Sequence, residues 1–304
     1  MVIIAVFPGQ GSQSPGFLTP WLQLSGAAER LAEYSEWAGV DLMAAGTAWD
    51  ADRIRDTQVA QPLIVAASLL SWGALEDRSA VAGVAGHSVG EFAAAAAAGV
   101  LTEEDALRLV GIRGRAMAEA AAAEQTGMSA IIGGDEEAIV GRLGELDLTP
   151  ANYNGGGQLV AAGALPALQA LAGEPPAGTR VIPLQVAGAF HTRYMAPAVD
   201  ALRQAAATVS TGDPRLTVWS NRDGASVGSG GEFLDLLVDQ VASPVRWDLC
   251  MASFSADGVT GLVELSPAGT LIGLAKRALR GVPGVAVKTP DDLPAAQTLL
   301  SADA

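Results

Sequence analysis

Gly86-His87-Ser88-Val89-Gly90 sets a serine midway between two glycines, the G-x-S-x-G spacing of a nucleophile elbow. A serine at a tight strand-to-helix turn has a strained backbone, so small residues are needed on both sides. The turn lifts the hydroxyl above the sheet edge. It also leaves the amide of Val89 at a helix N-terminus, where an N–H without an intrahelical acceptor can stabilise negative charge. A serine hydroxyl needs a base, and imidazole titrates in the right range. The chain has two histidines. His87 is locked beside the serine, with its side chain expected to point the other way, which leaves His191 in Ala189-Phe190-His191. No Asp or Glu stands at an obvious place to orient that base, although hydrolases with this elbow run serine, acid, histidine. A backbone carbonyl would fix the tautomer equally well.

Two other stretches carry chemistry less directly. Pro8-Gly9-Gln10-Gly11-Ser12-Gln13 follows the first apolar run. Its glycines either bring backbone amides close to a ligand or simply end a strand, and no GK[ST] follows to make it a P-loop. Arg113 lies in Gly111-Ile112-Arg113-Gly114-Arg115, inside a helical pattern. Each interior glycine costs roughly 1 kcal/mol against alanine, which makes sense where something packs closely. An arginine there could point into a cleft, but spacing alone favours a surface salt bridge.

The elements that must position these residues read as α/β. Val2 to Phe7 is a continuous apolar strand of the kind buried on both faces of a parallel sheet. Helices are expected over 27–40 and 58–74, the latter with Pro62 in its first turn. The strand 81–86 leads into the elbow and an alanine-rich helix, and a helix from Thr102 to about 123 carries Arg113. The pattern changes near Gly127. Strand 128–133, helix 135–146, loop 149–158, strand 159–163, helix 165–172 and strand 181–186 make a small α/β insert of ferredoxin-like type. Larger-domain patterns then resume: helix 197–207, strand 216–220, helix 231–241, a helix opened by Ser243-Pro244-Val245-Arg246-Trp247, strand 261–265, a helix to Arg280 and strand 285–288.

Composition narrows the classes. Of 304 residues half are hydrophobic and 17% are charged, a globular balance. No apolar run is long enough for a transmembrane helix. The N-terminus reads as a core strand rather than a signal peptide, so the cytoplasm is expected. The single cysteine, Cys250, excludes internal disulfides and cysteine metal clusters, and two histidines make a poor zinc site, so no metal is expected. A net charge of −15 argues against nucleic acid and anionic membrane as partners.

Taken together, these motifs resemble the malonyl-CoA:acyl carrier protein transacylase family, which includes the acyltransferase domains of polyketide synthases. The resemblance runs through the Gln10 loop, the elbow with Glu91, Arg113-Gly114-Arg115, Asn152-Tyr153-Asn154, Ala189-Phe190-His191 with Met195, and Ser243-Pro244-Val245-Arg246-Trp247, where the family usually has Asn in place of Ser243. It implies an α/β-hydrolase-like large domain (1–126 and 189–304) with a ferredoxin-like insert (127–188). It also implies Ser88 as nucleophile, His191 as base, the amides of Gln10 and Val89 as oxyanion hole, Arg113 as holder of the malonyl carboxylate and the carbonyl of Gln240 as the group that orients His191. The implied substrates are malonyl-CoA and a phosphopantetheinylated acyl carrier protein, with no bound cofactor. The implied enzyme is a monomer serving fatty-acid synthesis. Alternatives on the same motifs are a discrete acyltransferase that loads a polyketide synthase carrier protein and a serine esterase or thioesterase. A non-catalytic carrier-docking module is a third, opposed by the presence of both Ser88 and His191. Since carrier proteins are acidic, as this chain is, docking would need a local basic patch, for which Arg193, Lys276, Arg277 and Arg280 are candidates.

Overall fold

The computed structural model describes residues 1–301. Its strands, in chain order, are β1 (Ile3–Phe7), β2 (Val81–Gly86), β3 (Thr126–Gly133), β4 (Thr149–Gly155), β5 (Gln158–Ala164), β6 (Thr179–Pro183), β7 (Thr217–Trp219), β8 (Val245–Arg246), β9 (Gly261–Glu264) and β10 (Gly284–Ala286). Five of them form a parallel sheet in the order β10-β9-β1-β2-β7. Every residue of β1 is buried, as a central strand covered by helices on both faces requires. The loops after β1, β2, β7 and β9 all leave from the carboxyl edge, where open α/β sheets bind their ligands. One crossover, Thr57–Gly73, is buried over nearly its whole length.

The second sheet has the order β6-β3-β5-β4-β8. Residues 126–183 supply β-α-β-β-α-β, the split βαβ arrangement, with antiparallel pairing of β3 with β5 and β6 and of β4 with β5. Side chains alternate across it with the strand period of two. Ile131, Leu159 and Ala161 face the helices Glu136–Glu145 and Leu165–Gly173, whose Ile139, Leu143, Leu168 and Leu171 complete a separate small core. Met128, Val160 and Ala162 face the main body instead.

Two local expectations fail here. The stretch 149–158 is strand β4 and a Gly155-Gly156-Gly157 turn rather than a loop. Its Pro, Asn and Gly content disfavours strand, but β4 lies between β5 and β8, and the pairing overrides propensity. Val245–Arg246 does not open a helix. It pairs in parallel with Asn152 and Tyr153, and the helix starts afterwards at Trp247. The second sheet is thus finished by a strand from outside residues 126–183. A smaller difference concerns the helix expected from residue 58. It begins at Thr57 behind Asp56, which caps it, so Pro62 sits beyond the first turn.

Candidate active site

The elbow forms as its glycines demand. Ser88 sits at φ 52°, an uncommon left-handed backbone for a non-glycine residue. A Cβ on Gly86 would lie 2.0 Å from the carbonyl carbon of Gly90, and one on Gly90 would lie 2.2 Å from the carbonyl oxygen of Phe7. No side chain fits at either place, so the turn can press against β1. The strained serine is held from below by Asn221, in the loop after β7. Its Oδ1 accepts from the Ser88 N–H at 2.7 Å, and its Nδ2 donates to the Gly86 carbonyl at 2.7 Å.

His191 lies 2.7 Å from Ser88, Nε2 to Oγ. Its Nδ1 is 2.8 Å from the main-chain carbonyl of Gln240. A carbonyl only accepts, so the proton belongs on Nδ1 and the Nε2 lone pair faces the hydroxyl. Burial, helped by the nearby Arg113 charge, pushes the imidazole down to about 3, which keeps it neutral and able to take a proton at physiological pH. His87 lines the same cleft rather than pointing away from it. Its Nε2 is occupied by Asn154 Oδ1 at 2.9 Å, so it is not free to serve Ser88.

Arg113 is 1% exposed and makes no ion pair among the described residues, so it is not a surface salt bridge. The flanking glycines explain how it gets there. A Cβ on Gly111 would lie 2.4 Å from the carbonyl oxygen of Ala38, and one on Gly114 3.0 Å from that of Thr57. Helix Glu103–Ala123 therefore touches the backbones of two neighbours. This brings Arg113 beside Gln61, whose Oε1 accepts from NH1 at 2.7 Å. NH2 donates to Gln240 Oε1 at 2.8 Å and reaches Ser88 Oγ at 3.4 Å. The Nε–H has no protein partner among the described residues. Burial lowers the guanidinium to about 10, still charged near neutrality. A buried cation hydrogen-bonded to neutral amides, with donor capacity to spare, can receive an anion.

The cleft that joins these groups, about 170 Å³, opens between the carboxyl edge of the parallel sheet and the inner face of the second sheet. Gly9, Gln10, Ser88, Val89, Arg113 and His191 lie on one side, and Met128, Asn152, Asn154 and Val160 on the other. The volume suits a small acyl group with a few waters. Val89 precedes helix Gly90–Ala98. Among the described residues neither its N–H nor that of Gln10 donates to a protein acceptor. A nucleophile–base pair, two unspent amides from the ends of adjacent strands and a cation beside the hydroxyl can together carry acyl transfer from an ester or thioester that bears a second, anionic end.

Sequence reasoning missed Gln61, Glu91 and Asn221. Gln61 and Glu91 could have been noticed as lone polar residues in apolar helices (Glu91 opens Gly-Glu-Phe-Ala-Ala-Ala). Asn221 has no local signal. Of the four basic candidates, Arg193 is paired with Asp147. Lys276, Arg277 and Arg280 are exposed and carry no ion pair among the described residues. Helix Thr270–Ala278 bears two of them and lines the cleft with Thr270, Leu271 and Leu274.

Comparison with known proteins agrees with this chemistry. The acyl transferase domain family matches residues 4–291. A malonyl CoA-acyl carrier protein transacylase from Mycobacterium tuberculosis is 55% identical over 296 residues, 96% of this chain and 98% of that protein. One from Mycolicibacterium smegmatis is 52% identical over 283 residues, 91% of this chain and 98% of that protein. The crystal structure of the Mycobacterium tuberculosis enzyme superposes with a TM-score of 0.94 at 54% identity, covering 98% of this chain and all of that one. A malonyl-transacylase solved in complex with a type II polyketide synthase acyl-carrier protein gives 0.93 at 32% identity, with both chains fully covered. The chain belongs to the acyl transferase domain family.

Proposed function

We propose that this acyl transferase moves a malonyl group from malonyl-CoA to the phosphopantetheine thiol of holo acyl carrier protein, through an ester on Ser88, and so supplies extender units for fatty-acid synthesis. The observation that carries the reading is Arg113, a buried guanidinium with no carboxylate hydrogen-bonded to it among the described residues, 3.4 Å from the Ser88 hydroxyl. An esterase for neutral acyl groups has no use for it.

Ser88 Oγ attacks the thioester carbonyl while His191 Nε2 takes the hydroxyl proton. Negative charge on the carbonyl oxygen is held by the amides of Gln10 and Val89, where loss of one donor costs roughly 3 kcal/mol or more. The tetrahedral adduct collapses, the C–S bond breaks, and the CoA thiolate leaves with the proton from His191. The pantetheine thiol of the carrier then enters the same cleft and gives its proton to His191. Its sulfur attacks the malonyl ester, and Ser88 departs as the alcohol with that proton. This is ping-pong transfer. Arg113 receives the malonyl carboxylate in both halves by paired N–H donors, a geometry lysine cannot copy. The Gln240 carbonyl orients His191 without adding a negative charge near that carboxylate. No step calls for a metal or a bound cofactor.

The carrier would dock over Lys276, Arg277 and Arg280, cations with no ion pair among the described residues, beside the cleft of an otherwise acidic protein. Residues 127–188 act in this scheme as an inserted subdomain that roofs the acyl group. A cytoplasmic monomer is part of the same reading. Among the described residues no helix is long and apolar enough to cross a membrane.

Intact mass after brief exposure to malonyl-CoA, acetyl-CoA or methylmalonyl-CoA tests the proposal. A malonyl adduct on Ser88 that disappears on addition of holo carrier protein is the expected result. Steady release of malonate without an adduct would make the protein a hydrolase.

A further inference from the structure

Glu91 is 1% exposed in a helix start otherwise made of Gly, Phe and Ala. A buried carboxyl group is costly unless its oxygens are satisfied, and the transfer chemistry above gives it no task. Both oxygens meet N–H donors. Oε1 accepts from the Asn221 main chain at 2.7 Å, and Oε2 accepts from Gln240 Nε2. The Gln240 amide therefore has an acceptor on one side and a donor on the other. Nε2 also donates to the Ser88 carbonyl at 3.0 Å, and Oε1 takes Arg113 NH2 at 2.8 Å. Turning the amide over would set its NH2 against a guanidinium, which has only donors, and its oxygen against two acceptors.

We propose that Glu91 is a positioning residue: it fixes which end of the Gln240 side chain faces Arg113, and through that amide holds the guanidinium beside the Ser88 hydroxyl. The proposal rests on the reading that Arg113 receives the acyl carboxylate. Besides Gln240, Arg113 meets Gln61 Oε1, Ser88 Oγ at 3.4 Å and the Phe92 ring at 5.9 Å. Burial pushes the Glu91 carboxyl up to about 8, while the Asn221 N–H, the Gln240 amide and the Arg113 charge favour the ionised form that accepts at both ends; a glutamine at position 91 cannot do so. Either the Asn221 contact or the Gln240 contact meets an NH2, and in the second case the Gln240 amide is free to turn. The base should be spared, because His191 is held by the Gln240 main-chain carbonyl and not by its side chain. The effect falls on the choice of acyl group.

The test compares the full-length wild type, Glu91→Gln, Gln240→Ala and the double variant, with malonyl-CoA and acetyl-CoA as donors and thermal unfolding as control. Losing one hydrogen bond to a charged group is worth about tenfold or more in kcat/KM for malonyl-CoA, and the loss should appear mainly in KM. For Glu91→Gln acetyl transfer should stay within about threefold, and the malonyl loss in the double variant should be no worse than in Gln240→Ala alone, because the two residues act in series. Equal losses for both donors, or single effects that multiply in the double variant, would overturn the proposal. Should Glu91→Gln not fold, Gln240→Ala alone decides: retained malonyl preference overturns it. Failure of the underlying reading shows separately, as a wild type that forms no malonyl adduct.

Discussion

Replacing Arg113 with alanine should change which acyl group the protein accepts before it changes whether acyl transfer occurs. Among the described residues the guanidinium, 1% exposed, hydrogen-bonds to Gln61 and Gln240, approaches Ser88 and lies 5.9 Å from the centre of the Phe92 ring. Among the described residues that line the cleft, no other Arg or Lys could meet a malonyl carboxylate bound there. Removing one member of a buried charge pair costs about 3–5 kcal/mol, which at about 1.4 kcal/mol per decade is on the order of 10²- to 10⁴-fold in kcat/KM for malonyl-CoA. Acetyl-CoA carries no carboxylate and should react as well as before or better. A second effect has a definite sign. The Arg113 charge helps burial hold His191 down to about 3, and the base must be neutral to work. Without that charge the imidazole pKa rises, so the acid limb of the acylation rate moves to higher pH. Single-turnover acylation of wild type and variant, followed by intact mass with both donors from pH 4 upward, reads both effects. Unchanged malonyl preference would refute the carboxylate role, and an acid limb that stays in place would refute the electrostatic one.

Ser88→Ala should form no acyl adduct with any donor, checked by the same mass measurement. His191→Ala should keep the fold and lose about 10²- to 10⁴-fold in acylation rate, the usual contribution of a positioned base. Gly111→Ala puts a methyl 2.4 Å from the Ala38 carbonyl oxygen. It should destabilise by about 1–3 kcal/mol through forced backbone shifts, measured as a lower urea midpoint. Reversing charge at Lys276, Arg277 and Arg280 together should raise KM for the carrier protein, with a weaker salt dependence, and leave acylation by malonyl-CoA unchanged.

What the sequence disclosed follows from how local each signal is. The elbow was legible because its glycines and serine are neighbours in the chain, and the clashes that require those glycines arise within the turn and the strand beside it. His191 could be found by elimination, since so few imidazoles compete. Arg113 could not be placed by spacing, which argued for a salt bridge. Its burial depends on two helix crossings whose partners, Ala38 and Thr57, lie far away in sequence. Asn221 and the Gln240 side chain owe their contacts to loops that converge only once the sheets are built. Strand β4 was hidden by its own composition, because Pro150, Asn152, Asn154 and three glycines all read as loop, and a two-residue strand such as β8 gives no periodicity at all.

Strand β8 also has a mechanical meaning. It is hydrogen-bonded to β4 in the roof of the cleft, yet the helix that follows it, Trp247–Ala256, belongs to the floor. Asn154 grips His87 in the elbow across the same junction, and Arg246 lies over the Tyr153 ring. Roof and floor are therefore tied together at the cleft, and swinging the roof open would break a sheet ladder and a partly buried hydrogen bond together. Traffic of two bulky thiol carriers through one such site is the work of a fixed slot: each thiol threads its narrow end inward while its bulk stays outside.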